Sequence, residues 1–319
     1  MAFRLKPGEP LDKSARRIVK DQIDKALGSL TGLRANDAEE AIHDARRRFK
    51  KVRAVLRMAR AGLGPRRTAR ENQRFRDAGR PLSDVRDAEV LADAFDELVK
   101  RFDPIGHVTT VDLIRSALAN RKRDAWRRIL DDKETIATVI ASLQEARRRV
   151  KRWDFDDDDW PILKKGLARI YRKGYRASRI AANDPTDENL HDWRKRIKDL
   201  GYLLEILRPI RPDSIGEDAE TTSQLADALG NDHDLAVLRQ ALTEPEIAPQ
   251  AAAEIGAILT LIDVRRSELQ HAARLLGREV TIEKPKVFVK RMREYWRAWR
   301  SEIQPPATTE TERDRQASP

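Results

Sequence analysis

The sequence predicts an all-α protein, on the strength of three observations. Gly and Pro supply only 14 and 15 of the 319 residues, whereas Ala, Leu, Arg and Glu are abundant, and this composition favours helices. Apolar residues recur at intervals of three and four along nearly the whole chain, as they do on one face of a helix. No segment has the alternating pattern of a β-strand.

The helical pattern divides the chain into successive segments, and several of them start with residues that cap helices. Asp187 precedes the periodic run that begins at Leu190, and Ser83 and Asp84 precede the run that begins at Val85. These signals predict helix starts at both places. The predicted helices span residues 11–29, 36–61, 66–79, 84–101, 107–130, 133–152, 161–182, 186–209, 214–229, 232–243, 247–276 and 285–301.

An acidic segment, WDFDDDDWP at residues 153–161, interrupts this series of helices. Pro161 fits the first turn of the following helix. We interpret the segment as a solvated linker. The alternatives are that Asp154–Asp159 form a weak cation site, or that they imitate an anionic ligand of the protein itself.

The two sides of this segment resemble each other. AIHDARRRFKKVRAVLRM (41–58) aligns without gaps with NLHDWRKRIKDLGYLLEI (189–206), and PLSDVRDAEVL (81–91) aligns with ALGNDHDLAVL (228–238). Two matches in the same order, at shifts of 148 and 147 residues, indicate an internal duplication. We therefore expect two similar helical halves that pack face to face about a pseudo-twofold axis. The predicted units are residues 5–152, residues 161–301 and a disordered tail at 302–319.

The charge balance points to a polyanionic partner. Sixty-four basic and 53 acidic residues leave a net charge of +11, which suits nucleic acid, polyphosphate or an acidic membrane surface. Cysteine is absent, which excludes disulfides, thiolate metal sites and cysteine nucleophiles. No apolar run has the length of a signal peptide or of a membrane span, so we expect no segment to cross a membrane. A membrane is not among the predicted partners.

Residues 41–60 concentrate the positive charge, with eight Lys or Arg and one acid. On a helix, five of these polar side chains share an arc of about 80°, directly beside an apolar stripe. Like charges at these spacings destabilise a helix by a few tenths of a kcal/mol per pair, and a bound polyanion would reverse that effect. The five side chains are His43, Arg46, Lys50, Arg53 and Arg57.

The matching helix of the second half repeats the row from His191, with cations at Arg194, Lys195 and Lys198. Its end differs, because Gly201 and Glu205 stand where the first half has arginines. The first half therefore has the longer basic row. A solvated basic face is the simplest interpretation of one such helix, but two rows in the same phase favour a binding surface.

Two further basic rows are predicted to extend this surface. One lies on the first predicted helix, and the other begins the second half on nearly one helix face. Their members are Arg16, Lys20, Lys165, Arg169, Lys173 and Arg176.

The ordered set of motifs resembles the CHAD family, the conserved histidine α-helical domain. The resemblance is carried by two HDxRxxxK-type helices, at His43 and His191, by LSDVRDAEVL and LGNDHDLAVL, and by the closing segment EKPKVFVKRMREYWRAW. It covers roughly residues 5–300. Each motif by itself is only moderately specific, whereas the ordered set is strong.

The resemblance implies a pair of four-helix-bundle-like halves around a basic central groove or pore. It also implies non-enzymatic binding of inorganic polyphosphate, in the cytoplasm and at polyphosphate granules, without a cofactor or a metal. Some relatives are fused to a triphosphate-hydrolysing domain, for which this chain has no room, so a stand-alone protein is expected. The motif residues implied as ligand contacts are His43, Arg46, Arg47, Lys50, Arg53, His191, Arg194, Lys195 and Lys198.

Polyphosphate has no bases to read, so its recognition rests on charge density. Arg contributes bidentate donors and Lys a compact charge. His43 and His191 have two interpretations: they donate to phosphate oxygens or take up a proton when the anion arrives, or they form buried hydrogen bonds that fix helix packing. The acids of the second motif are predicted to cap a helix and to orient the cations by ion pairing. A catalytic acid–base pair is the alternative.

Two other functions remain open on the sequence. A nucleic-acid binder fits the charge, but aromatic residues make up only 5% of the chain and fall on the apolar stripe, whereas single-strand recognition uses aromatic platforms. A divalent-metal-dependent phosphohydrolase is the other, although HExxH, a Gly-rich phosphate loop and a nucleophile elbow are all absent from the sequence. A structural granule-coat protein is compatible with polyphosphate binding.

Overall fold

Helices supply the regular structure of this protein. The structure, a computed structural model, describes residues 3–33, 37–102, 108–155, 159–244 and 252–303, and within these ranges no strand occurs, so the predicted all-α fold is confirmed. A 3₁₀ turn spans Arg208–Ile210. The helices are α1 (Leu11–Leu30), α2 (Ala38–Met58), α3 (Arg60–Leu63), α4 (Pro65–Gly79), α5 (Ser83–Arg101), α6 (Val108–Asp131), α7 (Lys133–Val150), α8 (Asp159–Asn183), α9 (Asp187–Leu207), α10 (Pro212–Ala241), α11 (Ala252–Val280) and α12 (Pro285–Ile303).

Most predicted helices are found within a few residues of their expected bounds, but one predicted break is wrong. The segments 214–229 and 232–243 are a single helix, α10. Gly230 lies buried inside it, where an added Cβ would come within 3.7 Å of the Arg194 Nε. This is an ordinary van der Waals distance, so the glycine, which costs about 1 kcal/mol inside a helix, does not break α10. Of the predicted tail, residues 302–303 belong to α12, and 304–319 lie outside the described residues.

The predicted caps are also corrected. The residue that caps α9 is Thr186, whose hydroxyl accepts a hydrogen bond from the Asn189 N–H, so Asp187 is already the first residue of the helix. At α5, the Ser83 hydroxyl accepts from the Arg46 guanidinium instead of capping the helix. In each case a short polar side chain at a helix start does not bond the backbone N–H group that its position suggested.

The last acid of the acidic segment, Asp159, also contacts the start of another helix. Asp159 begins α8, and its carboxylate accepts a hydrogen bond of 2.8 Å from the backbone N–H of Leu11, the first residue of α1. It therefore satisfies a free N–H of another helix, at the end where the helix dipole favours negative charge. Trp153 is buried. Asp156–Asp158 lie outside the described residues, so the predicted cation site there is untested.

The apolar cores join the two halves of the chain. The largest cluster of buried residues takes side chains from every helix from α1 to α10 and from α12. A second cluster joins α5 and α6 to α10 and α11. The helices α2 and α9 both contribute to the first cluster, which positions their polar faces next to each other. The predicted pseudo-twofold relation stays a prediction.

No helix within the described ranges has both the length and the apolar character that crossing a membrane requires.

Candidate anion-binding groove

A cavity of about 500 Å³ lies between α2 and α5 of the first half and α9 and α10 of the second. We call it the central groove. Six cationic side chains and three carboxylates line it, together with two histidines and Tyr202. The cations are Arg46, Arg47, Lys50, Arg86, Arg194 and Lys198, the carboxylates Asp87, Asp227 and Asp234, and the histidines His43 and His233.

Four of these cations repel one another, because they lie close together in the middle of α2 and α9. They are Arg46, Lys50, Arg194 and Lys198. Lys50 is exposed to the water of the groove, yet the protein around the concavity desolvates it. This desolvation, followed by repulsion from Lys198, Arg46 and Arg194, lowers the pKa of Lys50 to about 8. Desolvation, followed by repulsion from Arg194, also lowers the pKa of Lys198. Without an anion, the groove therefore holds its positive charges at a cost in free energy.

Arg46 and Arg194, which occupy matching positions of the two halves, both reach the second motif of their own half. The Arg46 Nη1 donates to the Gly79 carbonyl oxygen at 3.1 Å and to the Ser83 hydroxyl at 2.7 Å. The Arg194 Nη2 lies 4.0 Å from Asp234, while its Nε is buried without a hydrogen-bond partner in the described residues. Both guanidinium groups are thus held at the groove by neighbouring helices.

The second-motif acids Asp87 and Asp234 face these cations, as the sequence predicts. Desolvation raises the pKa of both carboxyl groups. The largest opposing influence on the pKa is the charge of Arg46 for Asp87 and of Arg194 for Asp234, which favours the charged carboxylates. The acids lie inside helices α5 and α10, so their role as ion-pair partners fits the structure and their predicted role as caps does not.

The motif histidines have different positions. His43 is exposed and lines the groove. His191 stands behind His233, with the two ring centroids 4.3 Å apart, and its Nδ1 is buried without a hydrogen-bond partner in the described part of the chain. Desolvation, together with nearby cations, lowers the pKa of each ring of this pair to about 4, so both are neutral at pH 7.

The ends of the two basic rows depart from the groove. Arg57 pairs with Asp199 of α9, which neutralises it. Arg53 donates to the Asn72 side chain at 3.0 Å and lines a neighbouring cavity instead. Arg47 lines the groove but also pairs with Asp44 at 2.6 Å. Lys195 is exposed on α9 and is not among the residues that line the groove.

The two rows predicted to extend the surface are not brought to the central groove. Arg16 pairs with Asp12 and donates to the Trp153 carbonyl oxygen. Arg169 donates to the Arg57 carbonyl oxygen at 2.8 Å. The other members are exposed on α1 and α8, which pack on α2 at other sides, so their faces turn away from the cavity. These members are Lys20, Lys165, Lys173 and Arg176.

Several residues that line the groove lie outside the predicted site, among them Arg86, His233 and Tyr202. Arg86 and His233 occupy matching positions of the second motif, where the alignment of PLSDVRDAEVL with ALGNDHDLAVL pointed to them. The sequence predicts only a supporting role for this motif. No sequence pattern predicted Tyr202 as a lining residue, because it follows the second basic row at a position that appears apolar in the sequence.

Among the residues that the structure describes, no three His, Asp or Glu side chains come together as a metal site would require.

Known proteins resemble this chain over most of its length. A family model for the CHAD domain matches residues 17–243, which include both basic rows and both second motifs. This chain belongs to the CHAD domain family. The family is associated with polyphosphate binding in general.

Two solved structures share the fold of this CHAD protein. The crystal structure of the CHAD domain from the plant Ricinus communis superposes with a TM-score of 0.61 at 18% identity, over 87% of this chain and 94% of that one. PptA from Streptomyces chartreusis superposes with a TM-score of 0.58 at 12% identity, over 91% of this chain and all of that one (100%). Because the sequence identities are this low, the superpositions show a shared fold and not a shared function.

Two uncharacterized proteins of Mycobacterium tuberculosis, from two strains, are 26% identical to this chain over 262 residues. The match covers 78% of this chain and 48% of each relative. The chain thus spans about half the length of the curated relatives it matches.

Proposed function

We propose that this CHAD protein binds inorganic polyphosphate in the central groove and does not convert it chemically. The observation that carries the proposal is the meeting of Arg46, Lys50, Arg194 and Lys198 in one cavity. These cations come from both halves, and their mutual repulsion, together with their desolvation, lowers the pKa of Lys50 to about 8. A linear polyanion relieves that repulsion along its whole length.

Polyphosphate suits the groove because it carries a negative charge on every internal phosphate and offers no other recognition group. Arginines donate bidentate hydrogen bonds to such oxygens, while lysines contribute a compact charge. A concave surface dominated by one sign of charge focuses the potential and speeds association. The carboxylates Asp87 and Asp234 orient the cations and take no part in a reaction. In the cell, the protein would reside in the cytoplasm at polyphosphate granules.

The central test compares two double variants by titration calorimetry with long-chain polyphosphate. Arg46→Ala with Lys50→Ala removes two groove cations, and we expect affinity to fall at least about 100-fold, since a hydrogen bond to a charged group contributes about 1.5–3 kcal/mol. The matched control is Arg148→Ala with Arg152→Ala, which removes two exposed cations at the end of α7 and beyond it.

Arg149 is unsuitable for that control, because it pairs with the buried Glu71 at 3.1 Å and its loss would leave that carboxylate with Arg74 as its remaining partner among the described residues. Circular dichroism checks that both variants keep their helices. Equal losses of affinity in the two double variants would contradict a defined groove and favour diffuse attraction by net charge.

Duplex DNA is the competitor that tests the nucleic-acid alternative. Tyr202 is the only aromatic ring other than histidine among the residues that line the groove, which leaves little surface on which bases can stack. We expect long-chain polyphosphate to displace DNA, and DNA to leave bound polyphosphate in place at equal phosphate concentration. Displacement of polyphosphate by DNA would reverse this ranking. Release of phosphate from polyphosphate with Mg²⁺ would refute the non-enzymatic part of the proposal.

A further inference from the structure

A second cavity, of about 380 Å³, opens beside the central groove, between α2, α4 and the start of α5. We call it the arginine pocket. It shares Arg46 and Lys50 with the central groove, so the two cavities adjoin at these side chains. Its other cations are Arg53, Arg76 and Arg80, and the buried rings of Phe49 and Phe75 form part of its wall.

The arginine pocket has cations and no carboxylate in its lining. Arg53 donates to the Asn72 amide oxygen at 3.0 Å, and Arg76 donates to the Gln73 amide oxygen at 2.6 Å. Amide oxygens orient these guanidinium groups without neutralising them. None of the five cations has an ion-pair partner within 4.0 Å among the described carboxylates.

The opposite end of the central groove is different. There a cavity of about 600 Å³ shares Arg86 and Asp234 with the groove, but its lining also includes several acids, among them Asp93. Its arginines are already paired: Arg86 with Glu89 at 3.2 Å, and Arg101 and Arg265 with Glu268 at 3.4 and 2.7 Å. An anion arriving at this end meets a surface whose charge is largely balanced.

The basic row of the first half that reaches the arginine pocket has no counterpart in the second half. In the second half, Gly201 and Glu205 replace Arg53 and Arg57 of the first half. Gly201 faces α10, where an added Cβ would lie 3.5 Å from the Thr222 methyl group. Glu205 pairs with Arg208 at 3.2 Å. The basic row thus continues past the central groove on the first half and stops on the second.

We propose that the arginine pocket binds phosphates of the same polyphosphate chain that occupies the central groove, so that the ligand leaves the groove on this side only. The inference rests on the proposed function. It defines the ligand class as a chain long enough to fill both cavities. A short anion such as tripolyphosphate fills the central groove but is too short to place phosphates in the arginine pocket as well.

The test uses the full chain and two ligands, tripolyphosphate and long-chain polyphosphate, in titration calorimetry. Arg76→Gln with Arg80→Gln removes two exposed pocket cations and retains polar side chains, so the fold is preserved. We expect the affinity for long-chain polyphosphate to fall at least about tenfold, and the affinity for tripolyphosphate to change less than about twofold. The matched control, Lys100→Gln with Arg101→Gln at the opposite end, leaves both affinities unchanged.

Unchanged binding of the long chain to the Arg76→Gln, Arg80→Gln variant would overturn the inference and leave the proposed function standing. Equal losses for both ligands would also overturn it, because the pocket would then act on every anion through the general field. If the unmodified protein binds neither ligand, the proposed function fails, and the pocket's role fails with it.

Discussion

At the scale of single residues, Lys50 gives the groove its clearest pH signature. Its side chain lies near cations of both halves, and desolvation together with their repulsion lowers its pKa to about 8. A lysine with a lowered pKa gives up its proton more readily in the folded protein than in a solvated chain. Below pH 8 the groove therefore carries the full charge of Lys50, and above that pH it loses this charge.

We accordingly expect the affinity for polyphosphate to fall as pH rises through about 8, with proton uptake on binding near that pH, because the anion favours the charged lysine. Lys50→Arg removes this pH dependence, since arginine stays protonated throughout the range. Calorimetry in buffers of different ionisation enthalpy measures the proton uptake. The control is Lys290→Gln on α12, an exposed lysine, which preserves the pH dependence. An unchanged pH profile in Lys50→Arg would assign the effect to another group.

Residue types and spacing predicted most of the cations that line the groove, but not every role. The rows from His43 and His191 identified Arg46, Lys50 and the corresponding pair of α9 correctly as groove residues. His191 was less predictable, because its ring contacts His233, which lies about forty residues later in the chain. Such contacts leave no periodic signal in the sequence.

At the scale of elements, the close approach of α2 and α8 supports the position of the basic helix. A Cβ added at Gly166 of α8 would fall against the carbonyl oxygen of Met58, at the end of α2, and would lie 3.1 Å from the Met58 carbonyl carbon. Backbone atoms there have no room to shift without moving the helix. Only a glycine permits the two helices to pack at this distance.

Gly166→Ala is therefore expected to lower the free energy of unfolding by at least about 1–3 kcal/mol, the usual cost of overpacking a core. Urea denaturation followed by circular dichroism measures the change. The matched control is Gly174→Ala on the same helix, where an added Cβ would meet Ile197 at an ordinary 3.8 Å. It is expected to be neutral or to stabilise by up to about 1 kcal/mol through helix propensity. Equal effects at both glycines would contradict the close contact.

Periodicity determined the faces of individual helices well but not the direction in which each face points. Lys165, Arg169, Lys173 and Arg176 share nearly one face of α8, yet that face does not line the groove. The apolar stripe of α8 packs against α2, α9 and α12, and this packing fixes the orientation of the basic side. No pattern within α8 alone contains that information.

At the scale of the whole molecule, the two predicted halves share their apolar cores. Leu238 of α10 is fully buried in a cluster that also contains Phe95 of α5 and Ile114 of α6. The groove lies between the halves, so this shared packing also fixes its width. The first half is consequently not expected to unfold independently of the second.

We predict one cooperative unfolding transition, with tryptophan fluorescence and circular dichroism giving the same midpoint. Leu238→Ala should lower the free energy of unfolding of the whole chain by about 2–5 kcal/mol, because it leaves a cavity in the shared cluster. Leu275→Ala on α11, where the side chain is 50% exposed, is the control and should have little effect. Two separate transitions, or a shift seen by one probe only, would indicate independent halves.

The sequence by itself determined the helical class, most helix bounds, the internal repeat and the two rows of cations, since these depend on composition and on spacing along single helices. Only the tertiary structure decided which cations remain without a countercharge. Asp199 neutralises Arg57, whereas Arg53, Arg76 and Arg80 have no carboxylate partner among the described residues. The physical reason is that electrostatic free energy depends on distances between side chains of different helices and on their burial, and packing alone sets both.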